Sequence, residues 1–358
     1  MKQNDRYIVI LAGGIGIKFW PSSRRQRPKQ FLDLLGTGRT LLQMTYDRYE
    51  SHFDNYQFII VTSKRYLSLV KEQLPNIPEE QILVEPMRRN TAASIALASY
   101  KIQKLNPNAK VLVSPSDQLI LNENLFFEAI DEAMEGASVV DNLITIGIKP
   151  YRPDTNYGYI QFFPEKGQPV KKVKTFSEKP DMELATAFIE SGDFVWNTGT
   201  FVWKNESIIK AFEKYLPEMA EVFEEGAVYF CTEKEAEFLV KAYSFIKNVS
   251  IDHGILEKSN EVFVVLGAFG WSDLGSWQNL YDISEKDNNN NSVKGKAMLY
   301  ETSDCFINMP PNKLVVVQGL KDYLISDSGD VLLICKLDAN SKYKEYVTDA
   351  KKIGENFI

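Results

Sequence analysis

Histidine is nearly absent from this sequence: His52 and His253 are the two in 358 residues. Neither neighbours a serine or cysteine in a nucleophile motif, so hydrolase triads and histidine-built metal cages start without support. Cysteine is almost as scarce. Cys231, Cys305 and Cys335 lie far apart with no CxxC spacing, which supports neither a zinc site nor a disulfide framework and suits a reducing, cytoplasmic setting. Long apolar runs are missing too: Tyr7–Ala12 runs straight into glycines, too short for a membrane span or a signal-peptide core, and reads as a buried strand. Nor is there an excess of positive charge, since 41 Lys+Arg against 48 Asp+Glu leave a net charge of -7. Nucleic acid and anionic membranes are thereby disfavoured as bulk partners. Carboxylates, lysines and backbone amides are left to carry any chemistry.

What is present is a globular composition with 44% hydrophobic residues, enough for one large core and a smaller appended domain. The first half alternates β-branched runs with amphipathic stretches: Tyr7–Leu11 then Leu41–Tyr49, Gln57–Thr62 then Tyr66–Gln73, Gln81–Val84 then Ala92–Lys104. That is the pattern of βαβ units, so an α/β fold with a mainly parallel mixed sheet is expected, its catalytic groups at the carboxyl ends of strands. Val111–Val113 and Leu143–Ile148 read as further strands around a helix at Leu125–Ala137. From Asp287 the texture changes to an Asn-rich loop and short Val/Ile/Leu runs, among them Lys313–Gln318, Tyr323–Ser326 and Val331–Lys336. The expected division is a Rossmann-like domain over 1–286 and a small β-rich, β-helix-like domain over 287–358, whose apolar runs make a homodimer an expectation.

Leu11-Ala12-Gly13-Gly14-Ile15-Gly16-Ile17-Lys18 follows the first strand directly. Glycines there let backbone N–H groups approach a polyphosphate, although a tight turn after a strand is the plainer reading. The segment matches neither Walker A nor the dinucleotide fingerprint, because Phe19 stands where a third glycine belongs, and this disfavours a nicotinamide-dependent oxidoreductase. Pro21-Ser22-Ser23-Arg24-Arg25 and Pro28-Lys29-Gln30-Phe31 then place several cations beside the loop. Further on, Glu85-Pro86-Met87-Arg88-Arg89-Asn90-Thr91-Ala92 leads from a strand into a helix, with Asn90 or Thr91 expected as its cap. Val111–Asp117 ends a buried strand on an aspartate, where a hard oxygen could hold Mg²⁺ against phosphates.

These segments carry a resemblance. Leu11–Phe31 resembles the signature of sugar nucleotidyltransferases, and WPSSR followed by PKQF is most similar to the mannose-1-phosphate guanylyltransferases. The resemblance implies a nucleotidyltransferase domain whose loop residues Leu11, Ala12, Gly13, Gly14 and Gly16 wrap the triphosphate of GTP, with Lys18 at the leaving phosphates and Lys29 near the attacked one. The likeness to an EPxxRNTA segment implies a base and ribose pocket from Glu85, Arg89, Asn90 and Thr91, with Glu85 or Asn90 at the guanine edge. Likeness to PSDH and WSDLGSW implies Asp117 and Asp273 as the Mg²⁺ ligands. YGYI, SEKP and WNTGTF resemble the sugar-phosphate pocket and point to Gly158, Glu178, Lys179 and Asn197. SIDHGILEK resembles the guanylyltransferase SIDYxxxEK stretch.

Three positions depart from the family pattern: Lys18 for arginine, Gln118 for histidine and His253 for tyrosine. Lysine keeps the charge but loses the planar fork that orders phosphate oxygens. His253 reads as a packing or hydrogen-bonding residue, and His52 as a surface or helix-end residue. The implied reaction is GTP plus mannose 1-phosphate giving GDP-mannose and pyrophosphate, with those small molecules as partners. A different nucleotide or sugar 1-phosphate, or a non-catalytic sugar-nucleotide sensor, are the rival expectations.

Overall fold

In the computed structural model, residues 5–15, 17–53, 56–139, 141–164, 167–339 and 342–358 are described. They form two units that do not follow a single cut in the chain: the described residues within 1–13, 45–116 and 120–271 make one, and those within 14–44, 117–119 and 272–358 the other.

The first unit is built on a nine-stranded sheet. Its strands run in the order Ile82–Glu85, Gln57–Ser63, Arg6–Leu11, Lys110–Pro115, Phe194–Lys204, Leu143–Ile148, Val262–Gly267, Val170–Glu178, Gly158–Phe162. The first four are parallel, with Val9 opposite both Ile59 and Val113. Tyr7–Ile10 is buried throughout, as expected of a strand covered on both faces. Phe194–Lys204 enters antiparallel between Lys110–Pro115 and Leu143–Ile148. Leu143–Ile148 and Val262–Gly267 pair in parallel, and the far edge is antiparallel.

Helix Asn90–Leu105 is buried from Ala92 to Ile102, and its four alanines in that stretch let its backbone lie close to neighbouring elements. Helix Glu123–Gly136 begins where Asn122 accepts a hydrogen bond from the Leu125 N–H at 3.1 Å and buries Phe126, Phe127, Ile130 and Met134. Helix Met182–Ser191 has the same start at Asp181 and ends on Gly192 in the left-handed conformation. His52 closes helix Leu41–His52 and stacks on Phe127 at 3.6 Å between ring centroids.

The second unit contains a parallel β coil. Strands Ser292–Lys294, Phe306–Asn308 and Tyr323–Asp327 stack in parallel, as do Lys296–Tyr300 and Leu314–Gln318. Partners lie 18 residues apart in three of these pairings, Phe306 with Leu324, Lys296 with Leu314 and Ser303 with Lys321, and 14 apart where Ser292 meets Phe306. Cys305, Ile307, Met309, Val317 and Ile325 fill the inside of the coil.

A second core in the same unit joins Phe19 and Trp20 to Leu274, Trp277, Phe306 and Leu324, so the segment after the glycine loop folds with the coil. Arg24 fastens it. Its guanidinium grips both carboxylate oxygens of Asp330, donates to Ser328 Oγ at 2.8 Å and to the Asn356 carbonyl at 2.9 Å, while Nε donates to the Pro21 carbonyl at 3.0 Å. Trp20 Nε1 donates to the Phe357 carbonyl at 2.7 Å.

Candidate active site

In the first unit, parallel strands end at one sheet edge and lead into the segments singled out above. Beyond Leu11, the buried Ala12 donates its N–H to the Val61 carbonyl at 2.8 Å and accepts from Thr62 Oγ1 at 3.1 Å. The Ser116 N–H donates to the Leu11 carbonyl at 3.2 Å. A Cβ on Gly13 would lie 3.3 Å from Glu85 Oε2, so the loop backbone and that carboxylate face each other closely.

Glu85 is the last residue of its strand and 5% exposed. Its Oε1 accepts from Ser94 Oγ at 2.9 Å and from the Tyr243 hydroxyl at 3.0 Å. Burial pushes the carboxyl up to about 7, opposed by those two hydroxyls and the charge of Arg88. Arg89 Nε donates to the Tyr243 carbonyl at 2.8 Å.

The expected cap of the following helix is corrected here. Arg89 holds the cap position and no side chain caps it. Asn90 is the first helical residue at φ 64, its Oδ1 accepting from the Thr91 N–H at 2.9 Å, and Thr91 Oγ1 accepts from the Ile251 N–H at 2.9 Å. The Ala92 N–H instead finds the Val249 carbonyl at 3.3 Å. A tertiary segment thus takes over what a local cap would do.

Also in the first unit, Gly158 lies opposite Glu178 across an antiparallel pair, and a Cβ on it would sit 2.5 Å from Glu178 Oε2. The Glu178 side chain is 8% exposed and ion-paired through Oε1 to the exposed Lys179. The Glu178 N–H donates to Glu257 Oε1 at 3.0 Å, and the other Glu257 oxygen meets His253 Nδ1 at 2.8 Å.

Asn197 stands inside the long strand Phe194–Lys204 rather than in a turn. Its Oδ1 accepts from Thr145 Oγ1 at 2.8 Å and the Gly199 N–H at 3.1 Å, and its Nδ2 donates to Asp252 Oδ1 at 3.0 Å. Asp252 is half-buried at the start of a π-helical turn; desolvation first, then the Glu178 carboxylate, push its carboxyl up to about 7. Sequence reasoning did not select Asp252, Glu257, Ser94 or Tyr243. For the first two the signal is SIDHGILEK, where attention falls on His253; for the other two there is no local signal.

In the second unit, Lys29 is 6% exposed on the turn Lys29–Phe31. Its Nζ lies 3.0 Å from Asp117 Oδ2 and also donates to the backbone carbonyl of Asp273, so it brings together two segments distant in sequence. Asp273 Oδ1 accepts from the Gly275 N–H at 2.9 Å, and a Cβ on Gly275 would run into Asp273 Oδ2. Between them the buried Leu274 has φ 44, a strained conformation for leucine. Gly14 also lies in this unit, its carbonyl accepting from Gln30 Nε2 at 2.7 Å. Lys18 is exposed on the short turn Ile17–Phe19, and Gly16 lies outside the described residues.

Hard carboxylate oxygens with a lysine to balance charge suit a divalent cation that takes its remaining ligands from phosphates. Among the described residues no group of three or more His, Cys, Asp or Glu is arranged to hold a metal by itself.

The chain matches the nucleotidyl transferase family over residues 7–290. The mannose-1-phosphate guanylyltransferase of Salmonella montevideo is 33% identical over 365 residues, covering 97% of this chain and 73% of that protein. The alginate biosynthesis protein AlgA of Pseudomonas aeruginosa is 32% identical over 357 residues, with the same two coverages of 97% and 73%. The solved structure of the mannose-1-phosphate geranyltransferase of Thermus thermophilus superposes with a TM-score of 0.87 at 28% identity, covering 97% of this chain and 99% of that one.

Proposed function

The chain belongs to the nucleotidyl transferase family, and from that premise we propose that it transfers GMP from GTP to mannose 1-phosphate, giving GDP-mannose and pyrophosphate. One observation carries this reading: relatives named for that transfer match 96–97% of the chain, not its nucleotide-binding half alone.

A phosphate oxygen of the sugar 1-phosphate attacks the α-phosphorus of GTP, and the bond to the β-phosphate oxygen breaks to release pyrophosphate. The attacking phosphate is already ionised, so no general base is required. The chain's work is positioning and charge neutralisation. Lys29, rigidly held between Asp117 and the Asp273 carbonyl, is assigned to the attacked phosphate, and the exposed Lys18 to the leaving phosphates. Asp117 and Asp273 are the residues that would hold Mg²⁺, whose contribution is to neutralise phosphate charge.

The backbone of Leu11–Gly14 and Gly16 takes the triphosphate, and Glu85, Arg89, Asn90 and Thr91 take base and ribose. Gly158, Glu178, Lys179 and Asn197 take the sugar phosphate. The match ending at residue 290 supports a catalytic domain over 1–286 with a β domain over 287–358. Three free thiols and nucleotide substrates support a cytoplasmic setting, and no helix among the described residues is long and apolar enough to cross a membrane. Exposed Met298, Tyr300, Leu314 and Val316 on the coil support a homodimer, which light scattering would decide.

Pyrophosphate release measured with Mg²⁺ across GTP, ATP, UTP and dTTP, each with mannose or glucose 1-phosphate, tests the reading. Selective turnover of GTP with mannose 1-phosphate is expected. Another preferred pair would move the chain within the family, and binding without release would make it a sensor. Asp273→Ala should lower turnover by at least about a hundredfold with folding intact; near-normal turnover would refute its metal role.

A further inference from the structure

We propose that Ser94 and Tyr243 are positioning residues that hold Glu85 as a charged acceptor toward the nucleotide base, and that these two hydroxyls set a preference for guanine over adenine. The inference rests on the reading of GTP as substrate with Glu85 at the base, and deepens it.

The geometry divides the Glu85 carboxylate into two unlike halves. Oε1 receives both hydroxyls, from Ser94 at 2.9 Å and Tyr243 at 3.0 Å. Oε2 lies on the side of the glycine loop, 3.3 Å from where a Gly13 Cβ would stand. Each hydroxyl has one proton, and each has a poorer alternative: the Asn90 carbonyl for Ser94 at 3.4 Å and the Ala93 carbonyl for Tyr243 at 3.4 Å. Both short contacts go to the carboxylate. A phenol raised well above its ordinary value by burial and by the Glu85 charge keeps its proton to donate here.

The consequence concerns protonation. Two donors on one oxygen leave no room for a proton there and favour the ionised form, as does the positive charge of Arg88. Burial works the other way, so the hydroxyls decide a near balance around pH 7. An ionised Glu85 accepts from the N1–H and amino group of guanine and repels the bare N1 of adenine. A protonated Glu85 would do the reverse, offering a donor to adenine N1. A site built to accept donors rejects a base that lacks them, because its own buried oxygen is then left unpaired.

Tyr243→Phe, Ser94→Ala and the double variant of the full chain test this, with kcat and KM for GTP and ATP read at about pH 6 and about pH 8. In the double variant the ratio of kcat/KM for GTP over ATP should fall at least about tenfold, mainly through KM for GTP, as expected when hydrogen bonds to a charged group are lost. In the unmodified enzyme the same ratio should fall from the higher pH to the lower, and Ser94→Thr, which keeps the hydroxyl, should retain it. Equal losses for both nucleotides would show a purely structural role and overturn the proposal, as would an unchanged ratio in a folded double variant. Should Tyr243→Phe fail to fold, Ser94→Ala removes one oxygen and carries the test alone. If the unmodified chain releases no pyrophosphate from GTP, the substrate reading itself fails, a result visible before any variant is made.

Discussion

Asp252 and Glu178 are carboxylates placed where one negative charge is tolerated better than two. Asn197 donates to the first and Lys179 pairs with the second, but neither relieves the burial of Asp252. Its carboxyl rises from 3.8 to about 7. Between those values the native chain keeps a proton that the unfolded chain has released. Stability must therefore fall as pH rises through that window, with the full cost present above it. Asp252→Asn removes the charge and should raise the melting temperature relative to the unmodified protein more at about pH 8 than at about pH 5. The same difference at both values in differential scanning fluorimetry would contradict this. Lys18→Arg restores a planar fork and should raise turnover with GTP; an unchanged rate would show that a point charge suffices. The residues that sequence alone could name were those with a spelled motif around them. Lys29, Asp117 and Asp273 are such a set, and the structure brings them together. Tyr243 reaches Glu85 across 158 residues of sequence with nothing local to mark it.

The βαβ half of the sheet was legible because its strands are continuous apolar runs bounded by polar turns, and helix Asn90–Leu105 because its apolar residues repeat at helical spacing. The antiparallel half was not. Phe194–Lys204 carries Asn197, Thr198 and Gly199 in mid-strand, residues that ordinarily signal a turn, and they stay there because Thr145 and Asp252 satisfy Asn197 and the Ile146 carbonyl satisfies Thr198. In the coil, the corner at Gly295 is the element most exposed to substitution. It has φ 104, and a Cβ would stand 2.5 Å from the backbone carbonyl oxygen of Met309. Gly295→Ala should cost about 2 kcal/mol or more in denaturant unfolding, since neither the conformation nor the carbonyl can give way cheaply. Gly14→Ala has open space and serves as the contrast, with stability expected within about 0.5 kcal/mol of the unmodified protein. Comparable losses at both positions would remove the steric argument.

At the scale of the whole chain, a boundary near 287 follows the change of composition, whereas the compact units group residues 14–44 and 117–119 with the C-terminal coil. Such a grouping depends on long-range packing of Phe19, Trp20, Leu274 and Trp277 with Phe306 and Leu324, which composition does not display. The grip of Arg24 on Asp330 is part of it. Arg24→Ala and Asp330→Ala should each lower the melting temperature and turnover, because both loosen the segment leading to Lys29. Their effects should be non-additive, with a coupling of about 1 kcal/mol for a partly exposed pair. Strict additivity would mean that the two residues act separately.

That grip also has a bearing on time. Arg24 leaves the ribosome 306 residues before Asp330 and 332 before the Asn356 carbonyl that it also holds. The strands Arg6–Leu11, Gln57–Ser63 and Lys110–Pro115 can pair while the clasp for the intervening segment has yet to be translated. The stretch bearing Lys29 is thus made well before the residues that secure it, which delays the ordering of the lysine proposed for the attacked phosphate until they have emerged.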